Sequence, residues 1–231
     1  MAKIMYGSLA GAVSGKLGNT VFSHGRYGPY VWNHTIPTLV QNQWTLAARE
    51  ILVEVSQAWG ALTDAQRLAW ETWATTHPIT DRLGQKQVLA GSAAYSQINA
   101  RILVGAGTAI DVPPTDAPPP SLTACVGTFD IGLVGTEIAY TVTPLAAGHC
   151  LYVKAAVLNS AGARYFANKL KLVDVTAAAA ASPYDYQAAV EARFGPLVVG
   201  QRVVLLASVL DNTTGLISAP SIDQGVIVET A

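Results

Sequence analysis

The sequence predicts an α+β protein built in three parts: an extended N-terminal arm with a β-hairpin, a small helical domain of about three helices, and a C-terminal all-β sandwich. Three observations carry this. Apolar residues recur at helical spacing through the first half after the arm. From Ser121 the period becomes two. Between these regimes lies a proline run, Pro113-Pro114 and Pro118-Pro119-Pro120, and such runs act as semi-rigid spacers. The expected divisions are an arm at 1–36, a helical domain at 37–107, a linker at 108–121 and a β-domain at 122–231.

The arm is unusual in composition. Residues 1–36 carry Gly7, Gly11, Gly15, Gly18, Gly25 and Gly28 together with Tyr6, Phe22, Tyr27, Tyr30 and Trp32. Its charges are Lys3, Lys16 and Arg26, and no acid precedes Glu50. Glycine loses much freedom on ordering, and aromatic rings need a surface to cover. Such a segment is suited to folding onto something else. Gly18–Ser23 and Pro29–His34 flank the turn-like Gly25-Arg26-Tyr27-Gly28, which predicts a hairpin. An isolated hairpin is marginal in water, so it needs a partner surface. Residues 1–17 are expected to be extended, with a short strand at Lys3–Tyr6.

Over 38–60, Trp44, Ala48, Ile51, Leu52, Val55 and Trp59 form a helical stripe, with Gly60 as a stop. Thr63-Asp64-Ala65-Gln66 matches a capping box and opens a second helix that ends before Pro78. The short connection predicts that these two helices pack antiparallel. Leu83-Gly84 is a turn signal. A third helix begins near Gly91, with Ala94, Tyr95, Ile98, Ile102 and Leu103 on one face, and the glycines of Val104–Gly107 end it.

Beyond the prolines, Thr136–Thr143, Cys150–Val157, Tyr165–Val175, Tyr186–Phe194, Gln201–Leu210 and Gly225–Glu229 read as strands between turn signals. Tyr186–Phe194 is helical on propensity, but its neighbours favour a strand. Short strands at this density suggest an immunoglobulin-like or fibronectin-like sandwich. The tryptophan of antibody domains is absent, since no Trp follows Trp73.

Composition narrows the function. At 51% hydrophobic and 13% charged, the chain is too apolar for a disordered protein. Its charged fraction is well below the usual roughly 25%. Charge keeps free monomers soluble and sheet edges unpaired, so the deficit points to life in a complex. Residues 1–110 hold eight Lys/Arg against five Asp/Glu, and residues 111–231 hold six against ten. The positive excess lies in the arm, so opposite ends of neighbouring copies could attract. The most apolar windows, such as Val203–Leu210, fall far short of the roughly 20 residues of a membrane span. Gly7, Gly11 and Lys16 interrupt any secretory signal at the N-terminus. Cys125 and Cys150 read as reduced thiols rather than a disulfide framework.

No catalytic, cofactor-binding or metal-binding residues are expected. Gly11–Leu17 resembles a phosphate loop but has one residue too few between its glycines, and Leu17 stands where Ser or Thr would bind Mg²⁺. His24, His34, His77 and His149 have no partner at metal-ligand spacing. The cations are too sparse for a specific nucleic-acid interface. Arg26 beside Tyr27 and Tyr30 suits a cation–π contact within a protein interface. The candidate interface residues are Lys16, Phe22, Arg26, Tyr27, Tyr30 and Trp32.

Several segments together resemble a group of phage and prophage proteins. They are Met1-Ala2-Lys3-Ile4 with Tyr6-Gly7, Ser14-Gly15-Lys16-Leu17-Gly18-Asn19-Thr20-Val21-Phe22, and Arg26-Tyr27-Gly28-Pro29-Tyr30-Val31. Ser56-Gln57-Ala58-Trp59, Leu62–Trp70 and Gly91–Tyr95 continue the likeness. It covers about residues 1–114, and the β-domain only in outline. The chain departs from the group at Trp32, where members tend to carry Arg. The resemblance implies a virion structural component, with a head decoration or cement protein favoured over a tail or neck component. Its partners would then be other virion subunits, such as the major capsid protein, or copies of itself. The competing readings are a self-assembling filament subunit, and an extracellular or cell-surface module whose β-domain binds a host glycan or protein.

Overall fold

A computed structural model describes residues 2–3, 13–26, 28–35, 42–80, 84–132, 136–141 and 145–229. The protein is α+β, with four helices and several antiparallel sheets among the described residues. The chain divides into two compact units, Met1–Leu46 and Ala47–Ala231. No helix among the described residues is long and apolar enough to cross a membrane.

The first unit contains β1 (Ala2–Lys3), β2 (Gly15–Leu17), β3 (Thr20–Gly25) and β4 (Gly28–Asn33), in the sheet order β1-β4-β3-β2. The expected hairpin is β3–β4, in antiparallel register from Thr20 opposite Asn33 to Gly25 opposite Gly28. Most of the extended lead at 1–17 lies outside the described residues, and the strand expected at Lys3–Tyr6 is described only through Lys3.

Three helices follow. α1 (Gln43–Ala61) starts after Asn42, whose Oδ1 accepts from Thr45 N at 2.9 Å. α2 (Asp64–Thr76) opens on the expected capping box, with Thr63 N donating to Gln66 Oε1 at 2.9 Å and Gln66 N to Thr63 Oγ1 at 3.4 Å. Two short strands, β5 (Ile79–Thr80) and β6 (Lys86–Gln87), make a hairpin before α3 (Gly91–Val104). Val55, Leu62, Trp70, Ala74, Ala94, Tyr95, Ile98 and Ile102 form one buried cluster. The rings of Trp59 and Trp70 each lie 5.3 Å from that of Tyr95. Gly91 allows α3 to approach α2, because a Cβ there would lie 2.9 Å from Glu71 N. Leu52, expected on the α1 stripe, is exposed.

The β-rich part comprises β7 (Cys125–Gly127), β8 (Glu137–Tyr140), β9 (His149–Leu158), β10 (Lys171–Val175), β11 (Tyr184–Asp185), α4 (Gln187–Phe194), β12 (Arg202–Asp211) and β13 (Ser221–Val226). One sheet has the order β10-β9-β12-β13 and another β11-β8-β7. Ile138 and Tyr140 of β8, Leu151 and Val153 of β9, Val203 and Leu205 of β12 and Val190 of α4 share one apolar core. Gly127 N donates to Asp223 Oδ2 at 2.6 Å, tying β7 to β13.

Three expectations are corrected. The last strand, expected at Gly225–Glu229, is Ser221–Val226, starting four residues earlier. The stretch expected as a strand at Tyr186–Phe194 is helix α4, Gln187–Phe194, with Tyr186 at its N-cap. Asp185 accepts from Gln187 N at 2.9 Å at its start, and Gln187 bonds Glu191 one turn on at 3.1 Å. These local bonds and the helix-favouring Ala and Glu residues decide the conformation. Strand β10 is also shorter than expected. Ala163, Phe166 and Leu170 instead pack on Ala156, Leu158 and Val204, on the opposite sheet face from the main core.

The proline-rich segment lies inside the second unit and is packed. Trp70 Nε1 donates to Asp111 O at 2.9 Å and Trp73 Nε1 to Pro114 O at 3.0 Å. Asn99, fully buried, donates to Ile110 O at 3.1 Å and accepts from Ile110 N at 2.7 Å. Buried indole and amide groups need such partners, and the segment supplies them. Leu216, beyond β12, joins the helical cluster, so helices and sheets meet directly.

Candidate interface on the N-terminal sheet

Cross-strand partners in a sheet share a face, and neighbours along a strand alternate between faces. The registers of β2, β3 and β4 therefore assign each arm residue to a side. Lys16 pairs with Val21, which pairs with Trp32. Ser23 pairs with Tyr30. These five residues lie on one face. Phe22 pairs with Gly15 and Val31, on the other face, with His24, Pro29, Thr20 and Leu17.

The candidate residues thus divide. Lys16, Tyr30 and Trp32 share a face, Phe22 occupies the opposite one, and Arg26 is exposed in the turn between β3 and β4. Tyr27 lies outside the described residues. Trp32 is 40% exposed, a high value for a tryptophan, and its ring meets His34 edge-on with centroids 6.2 Å apart. Tyr30 and Phe22 are half-buried. Leu17 is the most exposed large apolar side chain among the described residues, at 74%. Sequence reasoning passed over Leu17 and Val21. Their place follows from the register, which sets Val21 between Lys16 and Trp32 and Leu17 opposite Thr20.

This face can bury an aromatic pair beside the Lys16 cation, with Arg26 in the adjoining turn, and the arm has no acid to neutralise them. Among the described residues β2 is an edge strand, with all three of its residues exposed. An edge strand offers unpaired backbone N–H and C=O groups to an incoming strand.

No group of three or more His, Cys, Asp or Glu side chains capable of holding a metal occurs among the described residues. His77 stacks on Trp73 with centroids 4.3 Å apart at the end of α2. Cys125 and Cys150 are free thiols. Burial pushes both up in pKa, assisted by Asp223 at Cys125 and by Asp211 at Cys150, which disfavours a nucleophilic thiolate. An open apolar groove of about 520 Å³ runs between α2 and the proline segment, lined by Leu68, Trp73 and Pro114.

Compared with protein-family models, characterised proteins and solved structures, the chain matches none.

Proposed function

We propose that this chain is a structural subunit of a phage particle, most simply a head decoration or cement protein, and that its N-terminal sheet docks on a neighbouring virion subunit. The observation that carries the reading is the sheet of β1–β4, a compact unit in its own right with Lys16, Tyr30 and Trp32 on one face. Aromatic anchors with a cationic rim are the composition of a protein-binding patch. Strand addition along β2 would supply main-chain hydrogen bonds. The low charged fraction and the likeness of residues 1–114 to phage proteins support the same reading. On it, the two β-sheets with their shared core form an immunoglobulin-like sandwich elaborated by α4.

Mass spectrometry of purified particles from the host carrying this gene tests the proposal. The chain is expected at a fixed stoichiometry to the major capsid protein. Its absence from particles that contain every other virion protein would overturn the reading.

A further inference from the structure

Helix α1 is 19 residues long, and it enters the helical cluster only through its second half, with Ile51, Val55, Ala58 and Trp59. Ahead of Ile51 every residue of the helix except Trp44 is exposed. Two large apolar side chains stand out on the side turned away from the cluster. Val53 is 54% exposed, and it lies two positions before buried Val55, about half a turn round the helix. Leu46, 41% exposed, lies two turns earlier on the same stripe.

Between them on that stripe are Arg49 and Glu50, both exposed. Positions 46, 49, 50 and 53 follow the i, i+3, i+4, i+7 spacing of one continuous helix face. Neither charge forms a salt bridge among the described residues, where the ion pair is Arg67–Asp64. The face therefore has an apolar residue at each end and an unengaged pair of opposite charges at its centre.

We infer that this face of α1 is a contact between two copies of the chain, paired antiparallel about a two-fold axis that crosses the helix between Arg49 and Glu50. Such an axis sets Leu46 of one copy on Val53 of the other, and Arg49 of one copy beside Glu50 of the other. Each contact is made twice, as a two-fold interface requires. A parallel pairing would set Arg49 against its own counterpart and Glu50 against its own, which like charge disfavours. The stripe is thus complementary to itself in the antiparallel sense, and a second copy supplies every partner it needs. The contact uses no residue of β1–β4 and is independent of the proposed virion role.

Sedimentation equilibrium of the full chain tests this. The parent should show a concentration-dependent monomer–dimer equilibrium. Arg49→Glu and Glu50→Arg each turn both attractive pairs into like-charge pairs, and each should weaken dimerisation about tenfold. Both positions are exposed, so circular dichroism and urea midpoints should match those of the parent. An equimolar mixture of the two single variants restores opposite charges at both pairs and should dimerise like the parent, as should the double variant Arg49→Glu/Glu50→Arg. A parent that stays monomeric, a dimer unaffected by Arg49→Glu, or a mixture that associates no better than its components would overturn the inference.

Discussion

The Trp73 indole donates to the Pro114 carbonyl at 3.0 Å, joining α2 to a segment 41 residues further along the chain. Trp70 repeats the contact one turn earlier, on Asp111, at 2.9 Å. The two donors are three residues apart on α2, nearly one helical turn, and their acceptors are also three residues apart in the chain, so the proline-rich segment is fastened at two points to the helical core.

Trp73→Phe keeps most of the ring and removes the N–H, leaving the Pro114 carbonyl without this donor. The expected cost is about 1–2 kcal/mol in urea unfolding. Trp70→Ala removes a fully buried side chain and should cost about 3–5 kcal/mol. A Trp73→Phe protein as stable as the parent would show that the contact does not hold the segment.

Gly215 has φ +69°, and a Cβ there would lie 2.7 Å from Ile98 O and 2.8 Å from Ile98 Cγ2. Gly215→Ala combines a strained conformation with a collision between the β12 turn and α3. A loss of about 1–3 kcal/mol is expected. Gly162→Ala, with open space at its Cβ, is the control and should be nearly neutral by the same thermal or urea measurement.

Burial pushes the Asp211 carboxyl up, but hydrogen bonds from Thr213 and Thr214 together outweigh it and hold the group below the ordinary carboxylate range. A carboxyl depressed in the folded state contributes stability above its unfolded pKa. That stability is lost as pH falls from about 4 through the folded value. The stability advantage of the parent over Asp211→Asn should therefore be constant above about pH 6 and shrink below about pH 4. Urea midpoints across that range check it, and an advantage that grows with acidification would contradict it.

How much was legible in the sequence follows the range of the deciding interactions. The capping box at Thr63 and Gln66 is made by residues three apart, and the β3–β4 hairpin by strands joined by a short turn, so both could be read directly. The packed proline segment could not, because Trp70 and Trp73 reach it across 41 residues. The contact between helices and sheets was hidden for the same reason. It rests on Leu216 and Gly215 meeting residues of α3 far earlier in the chain. At Tyr186–Phe194 the local signal was correct, and the strand expectation came from the neighbours. In the arm, composition marked the candidate residues. Only the register could place Phe22 on the opposite face from Lys16, Tyr30 and Trp32.

The central claim is that the N-terminal sheet is covered by another subunit in a particle. Hydroxyl-radical footprinting measures this directly, comparing side-chain oxidation in the isolated chain and in purified particles. Trp32 and Tyr30 should lose most of their oxidation on assembly, while Tyr165, exposed in the second unit, serves as an internal reference. Oxidation of Trp32 and Tyr30 that is the same in the particle as in the isolated chain would contradict the account.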